Sequence, residues 1–151
     1  MKSFVLLIIC LLTVWCAEVK ASVFHLNQTV DQTVTQAVKE KNWKLKVDMA
    51  FLSDGKTQAL PSDSCFMMVN GADATLCLPY VVNEQSDEKV SLQGKVTAYS
   101  FRDKGDHYTV NLHVTCEAKN YSFTIHVYKE DGLGSILLNS SKLSYSAELV
   151  K

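Results

Sequence analysis

The chain has 151 residues, a formal net charge of -1 and 47% hydrophobic residues, the composition of one ordinary globular domain. No block of like charge offers an electrostatic footprint for nucleic acid or for an anionic membrane surface, so neither is an expected partner. Six glycines and two prolines exclude low-complexity and collagen-like chains.

Met1, Lys2 and Ser3 lead into an apolar run from Phe4 to Cys16. That run is shorter than the roughly 20 residues a membrane-spanning helix needs, and Val19 and Ala21 occupy the small-residue positions before a signal-peptidase cut. Residues 1–21 therefore read as a secretory signal peptide cleaved after Ala21, and residues 22–151 as a single secreted, extracellular, β-rich domain with no membrane attachment after cleavage. Loss of Lys2, Lys20 and Glu18 leaves 13 basic against 15 acidic residues. The remaining length is enough for one core without metal or dense disulfide support.

Secretion removes Cys10 and Cys16 and carries Cys65, Cys77 and Cys116 into an oxidising compartment. Three is odd, so the reading is one disulfide and one leftover thiol, with the pairing open. A three-residue loop of Asn70, Gly71 and Ala72 sets Cys65 opposite Cys77, whereas Cys116 shares the apolar parity of its strand and suits either a buried thiol or a long-range bridge. Asn27, Asn120 and Asn139 each head an Asn-x-Ser/Thr sequon and are the expected glycosylation sites.

From Thr29 to Lys41, Val30, Val34, Ala37 and Val38 recur at helical spacing among polar residues, so one amphipathic helix is expected, capped by Asn27 or Thr29 and covering a sheet. The period then becomes two. Leu45, Val47, Met49 and Phe51 alternate with Lys44, Lys46, Asp48 and Ala50, which predicts a strand with one buried face. Turn signals at residues 53–56 and 60–63 precede shorter apolar strands at 65–69 and 74–82. From Val90 to Tyr128 the pattern predicts an antiparallel meander, with Ala98 paired to Val110, Val114 paired to Phe123, and a bulge or a curving point at Gly94. A weaker pattern follows at 136–138 and 143–145.

One helix and six or seven antiparallel strands with one apolar face predict a mainly β fold, a meander curling into a barrel. Signal peptide, short helix, Trp43 just before the first strand, and a meander with few cysteines together resemble a small secreted lipocalin, similar to the divergent lipocalins of blood-feeding arthropods, over residues 29–149. Lys41-Asn42 stands where typical lipocalins carry Gly-x before this tryptophan. The resemblance implies a lipocalin-like barrel carrying a ligand inside. An alternative is α+β: Val23 to Leu26 as a first strand before the helix gives the cystatin order, one helix packed on a curved antiparallel sheet, although neither Gln-x-Val-x-Gly nor a Pro-Trp loop occurs.

No catalytic motif is present and no cofactor or metal is expected, because His25, His107, His113 and His126 lack ligand spacing and no Cys-x-x-Cys occurs. His113 and His126 fall on the polar faces of neighbouring strands and are read as solvated positions. The expected function is therefore binding without catalysis. In the first reading Met49, Phe51, Phe66, Met68, Leu92, Val96, Val110, Leu112, Phe123 and Ile125 line a barrel interior that sequesters a small apolar or amphipathic ligand. In the alternative the chain is a protein-binding module, such as a protease inhibitor or immune modulator, that meets an extracellular protein through its loops.

Overall fold

The computed structural model describes residues 30–83 and 85–150. The expected signal segment, the strand Val23 to Leu26, the Asn27 sequon and the two capping residues lie outside them. A helix, α1, covers residues 30–40, with Val34 and Val38 buried and the polar face outward. It ends at Lys41, whose φ of 54° turns the chain straight into β1.

Among the described residues nine strands follow: β1 Asn42–Phe51, β2 Thr57–Ala59, β3 Phe66–Asn70, β4 Asp73–Leu78, β5 Val90–Asp103, β6 His107–Cys116, β7 Lys119–Tyr128, β8 Leu133–Leu138 and β9 Ser144–Leu149. All pairs are antiparallel, and β9 returns to β1, so eight strands close a barrel while the short β2 adds to β1 alongside β3. Closure removes the sheet edges that a one-sided apolar meander otherwise exposes. The fold is the mainly β barrel with an N-terminal helix, and the flat helix-covered sheet is not formed.

Several registers differ from the expected ones, each for a local reason. A bulge between Val47 and Met49 shifts the inward row of β1 to Trp43, Leu45, Val47 and Ala50, so Met49 and Phe51 turn to the other face. The β3–β4 loop has two residues, Gly71 at φ 61° and Ala72, rather than three, which sets Phe66 opposite Cys77 and leaves Met67 and Val69 as the buried row. Chain direction after β4 changes at Tyr80, with φ 65°, so the expected strand to residue 82 stops at Leu78.

In β5 the bulge falls between Val96 and Ala98 instead of at Gly94; Phe101, not Ala98, pairs with Val110, and the hairpin loop shrinks to residues 104–106. Glu117 at φ 54° begins a two-residue turn that pairs Val114 with Tyr121 rather than Phe123. β5 is the longest strand because it serves its two neighbours with different halves: residues 73–78 of β4 pair with 90–95, and β6 pairs with 95–103. This stagger is the shear a small barrel needs to close.

Candidate functional site

The barrel interior is the first place to look for a ligand site. Leu45, Val47, Met67, Leu76, Leu112, Val114, Phe123, Ile125, Ile136 and Tyr145 all have 0% of their surface accessible. A water-sized void beside any of them would register as accessible surface, so around these side chains the interior is filled. Of the ten residues expected to line it, Val110, Leu112, Phe123 and Ile125 do so fully buried, and Leu92 and Val96 do so half-buried on β5. Met49 and Phe51 sit on the outer face beyond the β1 bulge, and Phe66 and Met68 on the outer face of β3, because the two-residue hairpin alternates them with the buried Met67 and Val69.

Each end of the barrel carries side-chain hydrogen bonds that tie elements together. At the helical end Tyr99 donates its hydroxyl to the Val38 carbonyl at 2.8 Å and accepts the Trp43 indole N–H at 3.1 Å, while the Thr35 hydroxyl meets the Tyr108 hydroxyl at 3.1 Å. Burial pushes the Tyr99 phenol above its ordinary range, so it stays neutral and keeps donating. At the opposite end the buried Tyr145 hydroxyl donates to the Pro79 carbonyl, tying β9 to the bend where Tyr80 and Val81 are buried.

The three cysteines are buried free thiols. The register explains the lack of a local bridge: Cys77 shares its face with Phe66, whereas Cys65, one position earlier, joins the inner core with Cys116. Desolvation raises the Cys65 and Cys116 pKa values, the opposite of what an activated nucleophile requires.

The outer face of β6 and β7 carries a group of hydrogen-bonded polar side chains. His107 donates Nδ1–H to the Asp106 carboxylate at 2.7 Å, and His126 Nδ1 lies 3.2 Å from Thr109 Oγ1, with the two imidazole centroids 5.4 Å apart. The Tyr128 ring stands 5.3 Å from that of His107. Further along, Thr124 donates to Asn139 at 2.9 Å, Asn139 donates to Ser122 at 2.9 Å, and Thr115 donates to Asn120 at 2.7 Å. The sequon residues Asn120 and Asn139 are thus exposed at one end of this stripe. His113 pairs with Ser122 and does not approach His126: the two-residue shift of the β6–β7 hairpin gives His126 the neighbour His107 instead. No signal in the sequence pointed to that pair, since the register depends on a left-handed glutamate in the turn. Among the described residues no group of three or more His, Cys, Asp or Glu converges to hold a metal ion, and no helix is long and apolar enough to cross a membrane.

Residues 25–146 match the family model described as a domain of unknown function, DUF4251. A solved structure similar to this one is the crystal structure of a DUF4251 family protein from Bacteroides eggerthii DSM 20697, with a TM-score of 0.64 at 15% identity, covering 81% of this chain and 87% of that one. At that identity the likeness is one of fold. No curated protein matches the chain.

Proposed function

We propose that this chain, which belongs to the DUF4251 family, is a secreted, non-enzymatic binding module that engages an extracellular protein through the outside of its barrel. The observation that carries this reading is the packing of the interior on β6 and β7: Leu112, Phe123 and Ile125, which would have to face a carried ligand, have no accessible surface, and only the β5 row through Leu92 and Val96 is half-buried. A carrier of the lipocalin kind keeps a cavity of several hundred cubic ångströms at the same place in its fold. On the outside of the barrel apolar side chains are accessible, with Tyr128 46%, Leu133 49% and Leu137 38% exposed. Leu133 and Leu137 lie on β8 and Tyr128 at the end of its neighbour β7, beside the histidine pair. Aromatic and aliphatic side chains mixed with hydrogen-bonding groups are the composition of the centre of a protein interface.

Native mass spectrometry of the secreted protein, before and after deglycosylation, tests the reading directly. The expected spectrum is a chain starting near residue 22, with any sugar at Asn120 or Asn139 removed by the glycosidase, and with no small molecule retained. A co-purifying apolar molecule released on denaturation overturns the outer-surface reading in favour of carriage. Leu137→Asp gives the positive arm: a partner identified by cross-linking to the unaltered chain is lost from the variant while its thermal midpoint stays put.

A further inference from the structure

We propose that His107 and His126 form a two-imidazole binding site for a borderline divalent transition-metal ion, Zn2+ being the reference case, on the outer face of the barrel. The inference stands on the side-chain geometry alone and does not depend on the protein-binding reading above. With metal–nitrogen bonds of about 2.0–2.1 Å and a tetrahedral angle, two ligating imidazoles hold their centroids roughly 5 Å apart. The observed separation is 5.4 Å. The rings come from adjacent antiparallel strands, at positions two residues apart along β6 once His126 is aligned with Thr109, so a rigid sheet fixes their spacing.

Both rings meet their hydrogen-bond partners through Nδ1. His107 donates Nδ1–H to Asp106, which leaves its Nε2 with a free lone pair and places a carboxylate behind the imidazole, the arrangement that raises ligand basicity. Thr109 Oγ1 is placed to accept from His126 Nδ1–H, and that tautomer likewise frees Nε2. Two protein ligands leave the other positions for water. Such a site takes imidazole-preferring ions rather than Ca2+ or Mg2+, which demand oxygen donors.

Titration of the untagged full chain with Zn2+, followed by calorimetry and by the nitrogen resonances of the imidazoles, tests the proposal. One ion is expected to bind per chain, with the Nε2 signals of His107 and His126 moving together and those of His113 unmoved. Asp106→Asn is expected to weaken binding about tenfold, in the range of outer-partner substitutions, and His107→Ala or His126→Ala by more than that. His113→Ala is expected to leave affinity unaltered. The proposal is overturned if Zn2+ does not bind one to one, if only one of the two rings responds, or if neither alanine variant loses affinity. The resonance measurement needs no variant, so it decides the matter even where a substitution disturbs folding.

Discussion

Gly94 shows how one residue type is dictated by what crosses beneath it. It lies on the inward row of β5 opposite Ala74, and a Cβ built there would come 2.5 Å from Cys116 Sγ, 2.7 Å from the Thr115 carbonyl and 2.7 Å from Val114 Cγ1. Two of those three atoms belong to side chains, but the carbonyl is backbone and cannot rotate away. Gly94→Ala is therefore expected to lower stability by about 1–3 kcal/mol, the usual cost of overpacking, read as a shift in the denaturation midpoint. Adding Cys116→Ala should recover part of that loss but not all of it, because the thiol contact disappears and the carbonyl contact stays. In the sequence Gly94 read as a bulge or a curving point; a break in an apolar row cannot distinguish a kink in the strand from a close approach across it.

The same scale governs the pH response. Desolvation first, and His107 second, lower the folded-state pKa of His126 below the unfolded value of about 6.5. The unfolded chain then binds the proton more readily, so this contribution to stability is fully present above about pH 6.5 and is lost as pH falls through the folded value. Asp103, held down by the Lys129 ammonium at 2.8 Å, and Asp106, held down by His107, have lowered pKa values too and act in the same direction at more acidic pH. Denaturant midpoints are expected to fall between pH 7.5 and pH 5, and His126→Gln should flatten that limb while leaving the acid limb in place. A midpoint independent of pH across the first interval would contradict the desolvation of His126.

At the scale of elements, α1 is held to the barrel by two buried valines and a short chain of hydrogen bonds centred on Tyr99. Tyr99→Phe leaves the Val38 carbonyl and the Trp43 indole without this partner in a half-buried place. Unsatisfied groups of that kind cost about 1–3 kcal/mol. Faster amide hydrogen exchange over residues 30–40 is expected in the variant, with β6 and β7 unchanged; equal acceleration throughout would mean that helix and barrel open only together.

The helix and most strands were legible because they rest on local periodicity: Val34 and Val38 on one stripe, Tyr108 to Cys116 on one parity. Register was not legible, since it is set by bulges and turns whose residues give weak signals. Glu117 adopts a left-handed conformation that a reader assigns to glycine or asparagine, and the extra residue at Val47–Met49 is visible only through the strand it pairs with. β9 was half seen for a related reason. Its Tyr145, Ala147 and Leu149 alternate with serine and glutamate, yet the pattern carries weight only when β1 is known to receive it.

At the scale of the whole molecule, closure and filling are separate properties, and the sequence speaks to them unequally. One apolar face per strand makes closure the economical solution, but whether the enclosed volume is a core or a pocket depends on the summed size of the inward side chains and on which rows point inward. Here the bulges and the two-residue hairpin put Leu45, Val47, Met67, Phe123, Ile125 and Tyr145 on the same interior, and they occupy it. An interior of this kind should behave as a protein core in both of its responses to truncation. Phe123→Ala is expected to cost about 3–5 kcal/mol, because the lost transfer energy is joined by the cavity left behind. It should also create a binding property the parent lacks, since an apolar void of about 150 Å³ stays dry and admits benzene or xenon. Xenon-induced chemical shifts in methyl spectra of the two proteins check the pair of outcomes. A response confined to the variant follows from a filled barrel. Uptake by the unaltered chain at Leu112 and Ile125 would mean that the interior opens in solution, and ligand carriage would again be the better account of the fold.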